Sequence, residues 1–515
     1  MTNPGWLNGT RILYIAFIIS ALSHLPFINL GPRSVHAWRQ CNTLAVARNF
    51  HQESMDIMNP RVDRRLDTNG VTGMQFPSYE YIVASAYNIV GEHNWVHRLV
   101  SLLISFWGAL GMYYLSKFLL KHDLAAGFAA FAYTFSPDLY YFGFSALPDI
   151  LALACSVWGL YYFLKWYTLS ISTSAPHSPF TIHNSQFNTH QSTLYFIASL
   201  FLITLAGLTK LQFLAIGFFI APLVVISFNK IENGKKKIGA LVLFGLVACF
   251  VPLWWYKRSV ELIKASGLED FGITFRPESD VWKGFLTIFQ NLTSDLPDLL
   301  LNYFSFFLFL LAIYFFFKNK FWKSVWFIPM LVWSIALITY HIIELAQMNV
   351  HSYYMMPYYP VLFLMIAYAV KNIYDKKIGY KFLVMVLLLS PIATGFRIIP
   401  SRFTKSDPGI PMELYNDATR NQLINATPQN ALCIVGPDIS GCIYFYHLEK
   451  KGFGFNNVTD LTEVIHSETR LENYVRRGAR YIFTNDSNIN KIKEIQIHFD
   501  KINTVGDFQV YKLKR

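Results

Sequence analysis

Charge is scarce in this sequence. Of 515 residues only 15% are Asp, Glu, Lys or Arg, while 53% are hydrophobic and 17% aromatic. Ordinary soluble domains carry roughly 25% charged residues, so the shortage excludes a soluble globule. Cysteine is scarce too. Its five copies, Cys41, Cys155, Cys249, Cys433 and Cys442, show no C-x-x-C spacing, which removes the common zinc and redox motifs. Cys155 and Cys249 stand in apolar runs as small buried residues. Cys433 and Cys442 fall in the C-terminal part, where a bridge needs an extracytoplasmic setting and two separate thiols is the favoured reading. A glycine-spaced phosphate loop is missing: Gly436-Pro437-Asp438 follows a strand-like run but lacks the spacing. The first apolar run has no convincing small-residue cleavage site and reads as a retained helix. Net charge is +12, yet no basic domain is set apart for nucleic acid. The excess reads as positive-inside bias and attraction to anionic lipid.

What is there is apolar length. About eleven segments reach the roughly 20 residues that span a bilayer: 11–30, 95–118, 125–142, 149–166, 194–208, 211–228, 238–256, 299–317, 324–340, 354–370 and 380–398. The expected fold class is an all-α polytopic membrane protein, residues 1–398, followed by a small α/β domain, residues 399–515. Orientation follows from short loops. Lys117, Lys121 and His122, then Lys230, Lys235, Lys236 and Lys237, then Lys318, Lys320 and Lys323, then Lys371, Lys376, Lys377 and Lys381 share one side with the N-terminus. That side is cytoplasmic by the positive-inside rule. Loops 31–94 and 257–298, the turn 145–149 and the C-terminal domain then face outward. Residues 168–193 are rich in Ser, Thr, Asn and His and read as a linker, with His177, His183 and His190 solvated rather than metal-bound.

Beyond residue 399 the apolar spans stop. Runs 431–435, 481–484 and 509–513 read as strands, and 412–425, 440–450 and 461–477 as helices, the order of a small α/β domain with a parallel sheet. Its expected role is structural or acceptor-facing.

Polar chemistry concentrates in 34–80, too polar to span and long for a plain connector. It carries His36, Trp38, Arg39, Gln40, Asn42, Arg48, Arg61, Asp63, Arg64, Arg65, Asp67 and Glu80. Loops held by a rigid scaffold are where chemistry tends to sit. Arg61, Arg64 and Arg65 flank Asp63; guanidinium forks suit phosphate, and a loop salt-bridge network is the equal alternative. Asp149 closes the run Phe-Ser-Ala-Leu-Pro-Asp, either as a helix cap or as a carboxylate near a sugar or metal. Lys210, between two apolar segments, either snorkels or meets an anionic phosphate. His351, Tyr353 and Tyr354 open the tenth segment, as interface aromatics or as ligand contacts, with Glu344 and Gln347 just before them.

Taken together, HAWRQCNTLAVARNF at 36–50, MQFPSYEYIVA at 74–84, HRLVS at 97–101, FSALPD at 144–149, GLTK at 207–210 and HSYYMMP at 351–357 resemble the membrane glycosyltransferases with the C-type fold. The resemblance is to the branch holding protein O-mannosyltransferases and lipid A aminoarabinose transferases. It covers 11–398 and fades in the C-terminal domain. It implies a bacterial cytoplasmic-membrane enzyme that inverts the anomeric centre while moving a hexose or pentose from a polyprenyl-phosphate donor to an extracytoplasmic glycan, lipid or protein. Such transfer needs a base for the acceptor and positive charge at the leaving phosphate. By the resemblance, Lys210 and the loop arginines fit the second role, and Asp149 matches the family's second acidic motif. Arg39, Gln40, Asn42, Arg61, Arg64, Arg65, Lys210, His351, Tyr353 and Tyr354 are the expected substrate contacts.

The sequence departs from the family in the first loop. Members usually carry an acid just before the A-R-x-[MF] helix, where this chain reads Arg39-Gln40-Cys41-Asn42; asparagine cannot serve as a base. The family's lysine before its P-P step is also missing, with Gln75 near its place. The base candidates are Asp63, Asp67, Glu80 and His36, with Asp63 favoured. A carboxylate among cations has a depressed pKa and is a weaker base, which keeps Glu80 in contention. No cofactor is certain, and a divalent metal stays open. A transporter or flippase is the alternative class, against which stands the lack of internal repeats. A non-catalytic binder of lipid-linked sugar is the third reading, kept alive by Asn42.

Overall fold

A computed structural model describes residues 8–170, 189–226, 234–268, 277–375, 380–405, 410–465 and 467–514. The expected linker histidines His177 and His183, and Lys230, Lys376 and Lys377, lie outside the described residues; His190 sits in the helix Thr189–Thr209.

The chain is a polytopic membrane protein. Among the described residues seven helices are long and apolar enough to cross a bilayer: Gly9–Phe27, Asn94–Leu120, Asp149–Leu169, His190–Thr209, Ile238–Ser266, Ser352–Tyr374 and Tyr380–Phe403. An eighth span arises if Val281–Leu300 and Tyr303–Lys318, bent by 119°, count as one; Leu211–Ile226 and Phe327–Ile343 are apolar but shorter. Every expected segment overlaps helix, and the smaller number comes from helices that are short or interrupted. Segment 125–142 shows why. It divides into Asp123–Thr134 and Pro137–Phe142, because Pro137 has no N–H to continue the ladder. The Phe135 carbonyl at the break accepts instead from Asn302 Nδ2 at 2.9 Å and Thr394 Oγ1 at 2.6 Å, so this buried acceptor is satisfied.

Contacts divide the chain into two compact units. The first holds Met1–Ile28, Arg98–Tyr256 and Ile273–Ser401; the second holds Asn29–His97, Lys257–Gly272 and Arg402–Arg515. The first is helical. At its Lys-bearing helix ends, Asp123 accepts from the Gly9 N–H at 2.7 Å, Tyr113 Oη at 2.6 Å and Lys117 Nζ at 2.6 Å. Gly9 fits there because it lacks a side chain: a Cβ would stand 1.9 Å from the Asp123 carbonyl oxygen.

The second unit contains a five-stranded sheet. Its strands are β1 Leu432–Val435, β2 Lys451–Gly454, β5 Tyr481–Thr484, β6 Phe499–Val505 and β7 Phe508–Leu513, while β3 Val464–Ile465 and β4 Glu468–Thr469 form a separate pair. The order is β2-β1-β5-β7-β6. β1 runs parallel to β2 and β5, but β7 runs antiparallel to β5 and β6. The sheet is therefore mixed, not parallel as expected. The last two strands turn back through a tight hairpin at Gly506, φ +58°, and such a hairpin joins only antiparallel neighbours. β2 was not foreseen because KGFG has little strand propensity. Along β1 the side chains alternate faces: Ile434 packs with Phe453, Ile482 and Tyr511, whereas Cys433 and Val435 pack with Phe483 and Val510. Cys433 and Cys442 are both free thiols.

Stretch 34–80 belongs to this unit. After the helix Ala37–Gln52 the chain forms a hairpin, with Val62 N–H donating to Gly70 O at 2.9 Å and Thr72 N–H to Pro60 O at 3.1 Å. The hairpin extends the sheet edge: Gly452 N–H donates to Asp63 O at 3.0 Å and Arg65 N–H to Gly452 O at 2.6 Å. The helix Ser78–Val90 follows.

Candidate active site

Within the first unit, four of the motif fragments converge. Arg98 and Ser101, from HRLVS, hold the backbone of FSALPD: Arg98 Nη1 donates to Phe144 O at 2.7 Å and Ser101 Oγ to Ser145 O at 2.9 Å. Both side chains are buried. This clamp sets where the helix Asp149–Ser170 begins. Asp149 is 0% exposed, and among the described residues neither carboxylate oxygen has a hydrogen-bond donor. It is thus not the backbone-binding helix cap that its position suggested. Its partner is Lys210, from GLTK, whose Nζ stands 3.5 Å from Oδ1, an ion-pair distance without hydrogen-bond geometry. The ammonium also lies over the rings of Tyr353 and Tyr354, 5.8 and 5.7 Å from their centroids, and His351 stacks on the same two rings at 5.3 and 5.8 Å. Tyr340 Oη steadies the turn by donating to Tyr354 O at 3.1 Å. The lysine thus sits between one carboxylate and two π faces, the surroundings of a cation that faces anionic groups.

Within the second unit a cavity of about 70 Å³ is lined by Trp38, Asn42, Asp63, Arg64, Ser440, Gly441 and Cys442, among others. Asp63 is 4% exposed. Its Oδ1 accepts from Asn49 Nδ2 at 3.0 Å, and the same amide donates to Arg61 O at 3.0 Å. Its Oδ2 is buried without a donor among the described residues. Burial of a polar oxygen with no partner is costly, and together with its place on the cavity wall this makes Asp63 a candidate for ligand contact. The opposite wall is built by the loop after β1: Asp438 accepts from the N–H of Ser440 at 2.9 Å and of Tyr444 at 2.9 Å, and Ser440 Oγ accepts from the N–H of Ile443 at 3.1 Å. Burial, then Asp438, push the Cys442 thiol up to about 12 against the pull of Arg64 and Arg39, so Cys442 is a neutral wall residue.

Residues 75–170 match the family model for dolichyl-phosphate-mannose-protein mannosyltransferase. No curated protein sequence gives a match. Among solved structures, ArnT from Cupriavidus metallidurans in the apo state is similar over 99% of this chain and 98% of its own, with TM-score 0.62 at 12% identity. The Archaeoglobus fulgidus oligosaccharyltransferase tethered to an acceptor peptide covers 93% of this chain and 69% of its own, with TM-score 0.58 at 14% identity. The archaeal oligosaccharyltransferase AglB in complex with an inhibitory peptide and a dolichol-phosphate covers 92% and 69%, with TM-score 0.55 at 13% identity. The chain has the C-type glycosyltransferase fold. The likeness carried by the motifs is thus met by a family match over part of the chain and by a fold shared over nearly all of it.

On that C-type scaffold the remaining expected site residues divide. Arg61 and Arg65 turn to Glu53, at 3.7 and 2.5 Å, and Lys451 joins the same carboxylate. Burial raises the Glu53 carboxyl, but Lys451 and Arg65 outweigh it and hold it below the usual carboxylate range. This is the salt-bridge network, and Arg64 alone of the three lines the cavity. Asp67 is exposed and pairs with Arg477 at 3.3 Å. Glu80 is buried in the first turn of Ser78–Val90, with Gln75 Nε2 donating to its Oε1 at 3.1 Å, and does not line the cavity. His36 takes a left-handed backbone, φ +57°, and its carbonyl accepts from the N–H of Arg39 and Gln40 at 2.9 and 3.1 Å. Gln40 Nε2 reaches back to Arg33 O at 3.2 Å, and Arg39 is buried beside the cavity-lining helix turn. Among the described residues no three His, Cys, Asp or Glu side chains group as metal ligands. One carboxylate beside a guanidinium is a poor fit for a divalent cation that takes several oxygens.

Sequence reasoning missed the supports. Asn49 and Arg98 sit inside motifs already singled out, yet nothing in their spacing says that one holds Asp63 and the other the Asp149 turn. Arg48 likewise pairs with Glu92 at 2.7 Å and donates to Tyr446 O at 3.1 Å. Ser440 and Gly441 carried no signal.

Proposed function

We propose that this protein transfers a sugar, with inversion, from a polyprenyl-phosphate donor to an acceptor on the outer face of a bacterial cytoplasmic membrane. The observation that carries the reading is Asp63, a buried cavity-lining carboxylate with one oxygen held by Asn49 and the other buried without a donor among the described residues. It supplies what Asn42 lacks. In this reading an acceptor O–H attacks the anomeric carbon, its proton passes to Asp63 Oδ2, and the bond from that carbon to the donor's phosphate oxygen breaks. In the first unit Lys210, with Asp149 holding the lysine and Tyr353, Tyr354 and His351 walling it, is by itself suited to a lipid phosphate. Arg64 adds positive charge on the cavity side. The acceptor is a glycan, lipid or protein, and the site chemistry asks only that it present a hydroxyl or phosphate oxygen.

The test is label transfer from a panel of radiolabelled polyprenyl-phosphate sugars, with envelope extract as acceptor, comparing wild type with Asp63→Asn and Asp149→Asn. The base role predicts a rate loss of about 10²–10⁴-fold in Asp63→Asn with donor binding kept. Full activity in that variant refutes the assignment. Asn42 favours a second reading, a non-catalytic binder of lipid-linked sugar; donor binding by wild type without turnover on complete extract would establish it, and Asn42→Asp would then be the residue to revert.

A further inference from the structure

The first unit holds a second cavity, of about 290 Å³, close to the roughly 300 Å³ at which ligand pockets begin. Its walls are apolar: Phe219, Phe316, Trp326, Met330, Leu364 and Met365 are among them. It lies at the Lys-bearing ends of its helices. Leu119 and Leu120, which also line it, close Asn94–Leu120, and Phe316 is two residues from the end of Tyr303–Lys318. The short turn Phe321–Lys323 joins that helix to Phe327–Ile343 and places Phe321 on the cavity wall. Lys320 and Lys323 flank Phe321 in sequence, and both are exposed. Other lysines at these ends are engaged within the protein: Lys117 with Asp123, and Lys371 with the Leu120 carbonyl at 3.0 Å. No hydrogen bond or ion pair holds the ammonium of Lys320 or Lys323 among the described residues.

An apolar cavity of this size, whose wall residue Phe321 lies between two unengaged lysines along the chain, is complementary to an amphiphile with one anionic head. We propose that it takes an acyl chain of an anionic glycerophospholipid whose phosphate rests on Lys320 and Lys323. Basic residues near an anionic lipid surface contribute individually, so each lysine is worth about five-fold in apparent affinity. The site differs from the Lys210 cluster in its residues, and it requires no transfer activity.

The experiment uses full-length protein in phosphatidylcholine vesicles doped with brominated phosphatidylglycerol or brominated phosphatidylcholine. Tryptophan quenching is read in wild type and in Trp326→Phe, so that the difference reports the cavity. The proposal requires stronger quenching of the Trp326 component by the brominated anionic lipid, and loss of that preference in the Lys320→Gln/Lys323→Gln double variant, whose exposed positions should not disturb folding. Ala312→Phe, which fills the cavity from its wall, should reduce the quenching while both lysines remain. Equal quenching by the two lipids, or an unchanged preference in the double lysine variant, overturns it. Because no sugar transfer is measured, either result leaves the glycosyltransferase reading to its own test.

Discussion

Replacing Lys210 by Met should destabilise the protein more than any exposed lysine could. Asp149 is 0% exposed, and among the described residues the Lys210 ammonium, 3.5 Å away, is the cation at ion-pair distance. Removing one member of a buried pair strands the other and costs about 3–5 kcal/mol. The contact is long and Lys210 keeps 13% of its side-chain exposure, so the lower end, about 3 kcal/mol, applies. Asp149→Asn should cost less, about 1 kcal/mol, because the lysine left behind still faces two aromatic rings. The double variant Asp149→Asn/Lys210→Met strands no charge and should lose only about 1–2 kcal/mol. The expected coupling is therefore about 2–3 kcal/mol, well outside the roughly 0.5 kcal/mol within which independent sites add. Reversible unfolding in mixed micelles, followed by tryptophan fluorescence, measures the four corners of the cycle. Additive losses would refute the pairing, and so would a double variant less stable than Lys210→Met alone.

Gly452 adopts φ +146° and a Cβ there would stand 2.0 Å from the Cys433 carbonyl oxygen, so Gly452→Ala should break the β1–β2 pairing and the edge that positions Asp63; limited proteolysis of the second unit would show it. Gly441 has φ +64° and its Cβ would meet Arg64 Nη1 at 2.8 Å; Gly441→Ala should leave the protein folded but lower label transfer by displacing Arg64, and unchanged kinetics would remove Arg64 from the site. His447 is buried and desolvation, then Arg420, Arg48 and Arg33, lower its pKa from 6.5 to about 3. The unfolded chain then binds a proton below pH 6.5 that the folded chain refuses until about pH 3. Stability should therefore fall on acidification across that window, by up to about 1.4 kcal/mol per pH unit. Glu53, whose folded pKa is lowered, adds to the loss as pH falls through the carboxylate range. A His447→Gln variant should show a shallower slope between pH 6 and 4 in the same unfolding assay.

Much of the scaffold was legible because hydropathy is a local property. Long apolar runs identify spans wherever they sit, and the motifs FSALPD, GLTK and HSYYMMP each flagged a polar group at a helix end. Their convergence on Asp149 follows from Arg98 and Ser101, whose hydrogen bonds cross 46 and 44 residues of chain. The break at Pro137 was visible as a proline, but whether it kinks a helix or divides it depends on which groups donate to the carbonyl at the break, and Asn302 and Thr394 lie far along the chain. The mixed sheet escaped for a related reason: strand direction is set by connections, and a glycine-rich strand such as β2 is recognised only through its neighbours.

The sequence by itself determined the class of protein, the approximate position of its spans, and a short roster of carboxylates and cations, because composition and periodicity act over one or two helical turns. Only the tertiary structure decided among them. It turned Arg61 and Arg65 to Glu53, put Arg64, Asp63 and Asn42 on one cavity, buried Asp63 Oδ2 without a donor among the described residues, and joined a hairpin at residue 63 to a strand at residue 452. Neighbouring side chains of one charge are alike in sequence, and what separates them is which ones the folded backbone turns to a counter-charge, as with Arg61 and Arg65 at Glu53, and which one it turns to the cavity.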